Sequence, residues 1–290
     1  MILDKDGNKY YKIALHLHST LSDGKRTPEE IAEIYKAHGY DAIAFTDHWI
    51  YGDSKELCGL HIISGCEYNY GVSNTENGGV MHIVGLGMKC DPKTKRDATQ
   101  QEIIDNIRNC GGMAVLAHPA WSLNTVEDYK ALSGLEATEI YNAVSEQGQS
   151  LRPDSSYFVD LLANEGHFPK ILATDDSHYY GDVDNCKGWI FAKCDEPSDE
   201  AILAAIRSGD TFASMGPELF AKQEGNKIII DTTPCSIIGI LSNLSWAHGH
   251  VLRGEDLTHF EYEIKDNERW VRVEVSDKDG KRAWSNVYVK

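Results

Sequence analysis

The 290-residue sequence is poor in basic residues, with 28 Lys and Arg against 45 Asp and Glu and a net charge of −17. An acidic surface of this kind repels a phosphate backbone, so we expect long nucleic acid to be disfavoured as a partner. A small basic pocket inside the acidic surface stays compatible with the total, because local fields do not follow net charge.

A membrane span and a secretory signal are also missing. The longest uncharged stretch, 232–252, contains Pro234, Asn243, two His and several Ser and Thr, a composition that does not suit a bilayer. The first residues lack the basic, apolar and small-residue order of a signal peptide. We therefore expect no membrane contact and a cytoplasmic protein.

Cysteine is scarce and scattered. The seven Cys are an odd number and form no C-x-x-C pair, so the sequence predicts neither a disulfide framework nor a thiolate zinc site.

The remaining composition, 41% hydrophobic and 25% charged, is that of a globular chain with a large core. Lys12 to His18 has the pattern of a strand, and Thr27, Pro28 and Glu30 supply an N-cap, a first-turn proline and a capping-box acid for a helix that ends near Gly39. Further strands are predicted at Asp41–Thr46, His61–Ser64, Val80–Leu86, Met113–Ala117, Leu135–Ile140, Ile171–Thr174 and Gly188–Ala192, and helices at Ala98–Cys110, Thr125–Leu132, Ser156–Glu165 and Ser198–Ser208. This alternation favours a parallel α/β fold over an antiparallel sandwich, and the number of units fits a closed barrel better than an open sheet.

The pattern changes after Phe212. Apolar residues alternate with polar ones at 260–265 and 271–275, and Asp279-Gly280 is typical of a hairpin turn. We predict a barrel domain at 1–211 and a small antiparallel β domain at 212–290.

Histidine and acidic residues follow the ends of successive predicted strands. His16 and His18 lie two apart and so on one face of their strand. The others are Asp23, His48, Glu67, His118, Asp176 and His178, together with His82, which lies inside or near the end of its predicted strand. In a barrel these strand ends converge on one rim, where metal and substrate sites are built. A second H-x-H pair, His248 and His250, lacks such neighbours, and we expect it to have no function.

As a set, these segments resemble the polymerase and histidinol phosphatase (PHP) superfamily of metal-dependent phosphoesterases. The resemblance rests on 16–24, 46–48, 65–67, 82–87, 117–119 and 176–178, in that order. It implies a distorted seven-stranded β/α barrel with two or three divalent ions. One ion would bind His16, His18, Glu67 and Asp176; Glu67 would bridge to a second on His82 and His118; and Asp23, His48 and His178 would hold a third. The chain departs from the family pattern in polar inserts at 51–60 and 71–79.

The expected chemistry is hydrolysis of a phosphate ester. Three divalent ions against the carboxylates Asp23, Glu67 and Asp176 leave a positive site that suits a phosphate group. We hypothesise that a metal-bridging hydroxide attacks phosphorus, with Glu67, Asp176 and His178 as the catalytic residues. Mixed His and carboxylate ligands suit Zn, Mn or Fe. Asp175 is expected to support or cap rather than bind metal.

Substrate residues are harder to assign. Aromatic residues follow the proposed ligands, among them Trp49, Tyr68, Trp121, Tyr179 and Tyr180, and their faces could stack on a base; ordinary core packing explains them equally well. Candidate phosphate clamps are Lys25, Arg26 and Arg152, with Asn142 as a further polar candidate, although solvated surface charge is the simpler interpretation of the three cations.

The leading hypothesis is a phosphoesterase for a small phosphorylated molecule, a nucleotide being one candidate. The alternatives are an amidohydrolase-type metal hydrolase, or a metal- and phosphate-binding regulatory module without turnover. The sequence does not settle the oligomeric state.

Overall fold

The computed structural model describes residues 1–71, 79–181 and 183–290. The helices are α1 Pro28–Ala37, α2 Gln100–Asn109, α3 Pro119–Ser122, α4 Val126–Lys130, α5 Ser156–Asn164 and α6 Asp199–Ser208. The strands are β1 Ile2–Leu3, β2 Lys9–Ala14, β3 Ala42–Ala44, β4 Lys55–Leu57, β5 Leu60–Ile63, β6 Gly65–Tyr70, β7 Met81–Leu86, β8 Met113–Leu116, β9 Leu135–Asn142, β10 Lys170–Thr174, β11 Trp189–Lys193, β12 Thr211–Ser214, β13 Leu219–Glu224, β14 Lys227–Ser242, β15 Val251–Glu263, β16 Trp270–Ser276, β17 Arg282–Ser285 and β18 Tyr288–Val289. A π-helical turn spans Ser145–Ser150. Most of the insert expected at 71–79 lies outside the described residues.

Helix α1 forms where its caps predict. The Thr27 side chain accepts a hydrogen bond from the Glu30 amide, and the Glu30 carboxylate accepts one from the Thr27 amide. Ile31 and Tyr35 face the core, and the chain leaves the helix through Gly39 at φ +75°. Reciprocal capping satisfies two amides that the first turn otherwise leaves unpaired.

The strands form two mixed sheets. In the larger sheet β2, β3 and β5 are parallel, whereas in the smaller sheet β6, β7 and β8 are antiparallel and β8, β9 and β10 are parallel. Single bridges from Leu17 to Ser177 and from His48 to Glu67 join the two sheets. The α/β class is confirmed, while closure into a seven-stranded barrel stays a prediction because bridges, not ladders, connect the sheets.

Strand β6 is not evident from the sequence pattern. The pattern predicts Glu67 just beyond a strand, but Glu67 lies inside β6, which pairs antiparallel with β7 over six residues on each side. Gly65 permits the bend between β5 and β6, because a Cβ there would lie 2.5 Å from the Phe45 carbonyl oxygen. This continuation turns the Glu67 side chain toward the ends of β2 and β3.

Strands β13 to β18 pair only antiparallel in the ladders of the described residues, and the hairpin at Gly280 joins β16 to β17. They continue the sheet that contains β2, through β12 and β11. The buried Arg272 on β16 holds Asp160 of α5 at 2.6 and 3.0 Å. A domain boundary near 212 stays a prediction, and the strands on its two sides share one sheet.

Cys90 and Cys110 form a disulfide that the scattered cysteine pattern did not indicate. The fold brings the residues after β7 beside the end of α2, where the Lys89 amide donates to the Cys110 carbonyl. Among the described residues, no helix is long and apolar enough to cross a membrane.

Candidate metal centre

Backbone pairing beyond β2 and β10 brings the first ligands together. The His18 amide donates to the Ser177 carbonyl, and the Asp176 amide donates to the His16 carbonyl. Residues 16 to 18 thus run beside 176 and 177, and His16, His18 and Asp176 are all buried. Gly24 lets the next loop fold close, since a Cβ there would lie 2.3 Å from the His18 carbonyl oxygen.

Nine side chains form three groups in which one ligand atom of each residue lies within 4.8 Å of the others. We call them the deep group, the lateral group and the open group. The deep group is His16, His18, Glu67 and Asp176; the lateral group is Glu67, His82 and His118; the open group is His18, Asp23, His48 and His178. The structure therefore brings together all nine residues that the family resemblance indicated as ligands.

The deep group has the dimensions of a tetrahedral metal site. His16 Nε2 and His18 Nε2 lie 3.2 Å from each other, and each lies 3.1 to 3.3 Å from Glu67 Oε2 and Asp176 Oδ1. Ligands about 2.1 Å from a tetrahedral ion lie roughly 3.4 Å apart. Glu67 Oε2 and Asp176 Oδ1 are buried and accept no hydrogen bond. Unsatisfied buried oxygens of this kind fit a cation as their partner.

Glu67 links the deep and lateral groups through its two oxygens. Oε2 belongs to the deep group, whereas Oε1 lies 3.0 Å from His82 Nδ1 and 3.3 Å from His118 Nε2. The side chain is 1% exposed. A carboxylate so placed can bridge two cations.

The hydrogen bonds of the imidazoles fix which nitrogen is free. His178 Nδ1 lies 2.7 Å from the Asp176 carbonyl and so donates to it, which leaves Nε2 facing Asp23 at 3.5 Å. A neutral imidazole has one lone pair, and His18 Nε2 already lies in the deep group. The open group is thereby left with Asp23, His48 and His178.

Electrostatics keep the carboxylates ionised. Burial works to raise the pKa of Glu67, but the imidazoles around it, His16 foremost, hold that pKa well below its usual range. Burial likewise opposes the charge of Asp176, and His16 and His18 lower its pKa. Ionised carboxylates are the form that binds metal.

Exposure increases from the deep group to the open group. Asp23 has a side chain that is 49% exposed and His48 one that is 17% exposed, whereas that of His18 is fully buried. The open group therefore faces solvent and is the side from which a substrate can approach.

Supporting contacts come from acids that the sequence does not indicate as ligands. Glu139 binds His16 Nδ1 at 2.7 Å. Asp47 accepts from the amide and hydroxyl of Ser19, and the Asp184 carboxylate accepts from the His178 amide. Glu139 had a signal, because it follows Glu136 by three residues on β9, so strand alternation places the two acids on opposite faces of the sheet.

Asp175 supports the loop after β10, as the sequence indicated. It is fully buried and accepts hydrogen bonds from Tyr35 and from the amides of Cys186, Lys187 and Gly188. Burial raises its pKa to about 6 despite these donors. Both of its oxygens are occupied by these donors, and it belongs to none of the three groups.

Several candidate substrate residues are not at the site. Tyr68 is adjacent to Glu67 on β6 and so points to the opposite face, into a core with Ile103 and Phe158. Tyr179 is 5% exposed and lies in a different core. Trp49 packs against Tyr68 and donates to Asn69. The expectation that these three rings line the site is not supported, since core packing accounts for them.

The four polar candidates for substrate binding also differ in their positions relative to the ligands. Asn142 is buried and donates to Glu139 and Asp176, so it supports a ligand. The Lys25 amide donates to the His178 carbonyl, which places this exposed residue beside the open group. Arg26 lies 5.5 Å over the Tyr179 ring. Arg152 is exposed and follows the π-helical turn.

Two aromatic rings do flank the ligands. Trp121 lies 4.9 Å from the His118 ring and 5.4 Å from the His82 ring. Tyr180 stacks on His178 at 5.4 Å with the planes 12° apart, and it is 38% exposed. The rings thus border the lateral and open groups respectively.

The second H-x-H pair lies elsewhere. His250 is buried against Glu268 at 2.6 Å, and Tyr262 donates to the same carboxylate. His248 is exposed. In the described part of the chain neither belongs to a group that could hold an ion.

A family model for the PHP domain matches residues 14–192. This chain belongs to the PHP domain family. The matched range contains all nine residues of the three groups, which agrees with the resemblance found in the sequence.

Similar proteins carry different activities. The chain is 33% identical over 81 residues to a phosphoribosyl 1,2-cyclic phosphate 1,2-diphosphodiesterase of Eggerthella lenta, over 26% of this chain and 30% of the relative. It is 31% identical over 165 residues to a 5'-3' exoribonuclease of Haemophilus influenzae, over 49% of this chain and 55% of the relative. The chain thus spans about a third and about half of these curated relatives.

One solved structure matches along the whole chain. It is a two-domain protein from Bacteroides vulgatus described as containing a predicted PHP-like metal-dependent phosphoesterase. The TM-score is 0.57 at 14% identity, over 100% of this chain and 97% of that one. At this identity the likeness concerns the fold alone.

Proposed function

We propose that this protein is a metal-dependent phosphoesterase that hydrolyses a phosphorylated substrate at the open group. The observation that carries the proposal is the shared use of Glu67 by two ligand groups within one buried centre. Its family membership and the diesterase and exonuclease names of its relatives support the same class of reaction.

The ligand set fits two or three divalent ions. Mixed imidazole and carboxylate donors suit Zn, Mn or Fe, and the orphaned oxygens of Glu67 and Asp176 need a positive partner. When bound in such a site, divalent ions supply a hydroxide nucleophile at neutral pH and neutralise phosphate oxygens.

The residues of the chain divide this work by position. Glu67 and Asp176 fix the deep group, which is closed to solvent. The Asp176 carbonyl orients the His178 ring, so that its Nε2 faces Asp23 in the open group, where an ion would be held. We propose that Lys25, whose amide contacts the His178 carbonyl beside the open group, binds a phosphate oxygen, with Arg152 as a second candidate for this role.

The substrate we favour carries a flat group next to its phosphate. Trp121 and Tyr180 present rings on two sides of the centre, and stacking on a ring contributes about 1–3 kcal/mol per base. A nucleotide meets both requirements. The acidic surface disfavours a long nucleic acid, although the exoribonuclease relative keeps an RNA end within the class to be tested.

The test is metal-dependent hydrolysis over a defined panel. Protein stripped with chelator and reloaded with Mn, Zn or Fe is assayed on alkyl phosphates, aryl phosphates, nucleoside monophosphates, a phosphodiester, short 5'-labelled RNA and a cyclic amide. We expect phosphate-ester cleavage that requires the ions and prefers nucleotides or aryl esters. Glu67→Gln should nearly abolish it, and His248→Gln, from the second H-x-H pair, should leave it unchanged.

The panel also separates the alternatives. Hydrolysis of the cyclic amide alone would identify an amidohydrolase, and phosphate binding without turnover under every metal would identify a regulatory module. Full activity of Glu67→Gln at unchanged metal content would refute the bridging role. Cleavage of RNA with no activity on mononucleotides would replace the small substrate with an RNA end.

A further inference from the structure

Glu139 makes three contacts inside the metal centre without belonging to any of its ligand groups. The residue lies on β9 and is 1% exposed. Its Oε1 lies 2.7 Å from His16 Nδ1, and its Oε2 accepts from the His118 amide and the Asn142 side chain, each at 2.8 Å. Both oxygens are therefore committed to protein donors.

Each contact orients a different ligand. The Nδ1–H of His16 donates to Glu139, which leaves Nε2 as the lone pair in the deep group. The Asn142 amide that donates to Glu139 also donates to Asp176 Oδ2 at 3.2 Å. One carboxylate thus sets the orientation of His16 directly and supports Asp176 through Asn142, on two sides of the deep group.

The third contact reaches the lateral group. His118 adopts φ +29°, a left-handed backbone conformation that residues other than glycine rarely take. Its amide is held by Glu139, while its ring contacts Ser122 through Nδ1 and Glu67 through Nε2. The Glu139 bond helps maintain this backbone conformation and, with it, the position of the ring.

We propose that Glu139 is a positioning residue that couples the deep and lateral groups, so that the two ions bind or are lost together. The inference rests on the proposed metal-dependent function. A carboxylate accepts all three donors at once. A glutamine in its place brings an N–H toward at least one of them, which turns His16 to the wrong tautomer or releases His118.

The experiment compares Glu139→Gln with Glu136→Gln, a matched control. Glu136 lies on the same strand but pairs with Arg207 at the surface. Both variants and the unaltered protein are loaded with Co²⁺ and dialysed against graded chelator. Metal content, Co²⁺ absorption spectrum and thermal unfolding are then recorded.

We expect Glu139→Gln to lower the affinity for both ions together by about 10- to 100-fold, which is the usual effect of losing a carboxylate that hydrogen-bonds to a metal-bound histidine. We also expect it to change the Co²⁺ spectrum. Glu136→Gln should match the unaltered protein. Unchanged affinity and spectrum in Glu139→Gln, or the loss of one ion alone, would overturn the coupling. A lower unfolding temperature with an unchanged spectrum would show a merely structural role.

Asn142→Ala provides a second measurement should Glu139→Gln fail to fold. It removes the donor to Asp176 and should lower the affinity of the deep group for its ion. If the variant holds that ion as tightly as the unaltered protein, the result would count against the proposal. An unaltered protein that binds no Co²⁺ at all refutes the proposed function instead, so the two failures are distinguishable.

Discussion

Removing divalent ions should destabilise this protein by a measurable amount. Without an ion, Glu67 Oε2 and Asp176 Oδ1 are buried acceptors with no donor. An unsatisfied buried group costs about 1–3 kcal/mol, so the two oxygens together cost about 2–6 kcal/mol.

The free energy of ion binding gives a similar value for the loss of stability. An ion present at about 1,000 times its Kd stabilises the state that binds it by about 4 kcal/mol. For a domain of 150–250 residues each kcal/mol moves Tm by about 2–4 °C. We therefore expect chelation to lower Tm by about 8–16 °C if one tightly held ion is removed.

The assay is calorimetry of chelated and reloaded protein, scanned with Mn or Zn at fixed free concentrations. Glu67→Gln removes the shared ligand and should lose most of the metal-dependent shift. His248→Gln, outside the three groups, should keep the shift of the unaltered protein. Identical melting of chelated and reloaded protein, or a full shift in Glu67→Gln, would refute the reasoning.

Three further predictions follow from particular contacts. Trp121→Leu should raise KM for nucleotides or aryl phosphates by about 5- to 150-fold, from about 1–3 kcal/mol of stacking, and leave alkyl phosphates unaffected; an equal change for both kinds of ester would argue against stacking. Arg272→Met leaves Asp160 without its buried partner and should lower the free energy of unfolding by about 3–5 kcal/mol; a loss under about 1 kcal/mol in denaturant titration would contradict this. The hydrogen bond to Asp199 at 2.6 Å raises the pKa of His61. The pair therefore stabilises the fold fully below the unfolded pKa of about 6.5 and less as pH rises through the folded pKa, so His61→Gln should cost more stability in acid than in base. A pH-independent cost would exclude this linkage.

The ligands could be predicted because two simple rules place them. His16 and His18 share a face by strand alternation, and the ends of neighbouring strands meet at one edge. The helix caps at Thr27 and the hairpin at Gly280 followed equally local rules. None of these features requires knowledge of distant contacts.

The side-chain directions around β6 could not be predicted without the strand itself. Once residues 65–70 are extended and paired with β7, alternation sends Glu67 to the ligands and Tyr68 to the core. The choice between Tyr179 and Tyr180 depends on a loop whose backbone has φ +62° at Tyr179. Only tertiary structure specifies such a turn, so proximity to a ligand in sequence misled the choice of aromatic residues.

The pairing of sheets shows the same limit. Alternating strands and helices predicted parallel neighbours, but β6, β7 and β8 run antiparallel. Helix α2 joins β7 to β8 all the same, so a helix between two strands does not by itself establish a parallel crossover. The sequence pattern predicts which elements form and in what order. It does not predict whether neighbouring strands pair parallel or antiparallel.

The metal centre is where this chain departs most from the rule that buried positions are apolar. Six of its nine candidate ligands are buried, two of their oxygens have no donor, and His118 and Asp176 have left-handed backbones. Each departure costs stability, and such costs persist where the surroundings and a function require them. Polar residues at positions that a core would fill with apolar ones therefore revealed the site in the sequence. Glu139 was not evident in the sequence because its neighbours Thr138 and Ile140 are neither acids nor imidazoles, and the other acid of β9, Glu136, pairs with Arg207 at the surface.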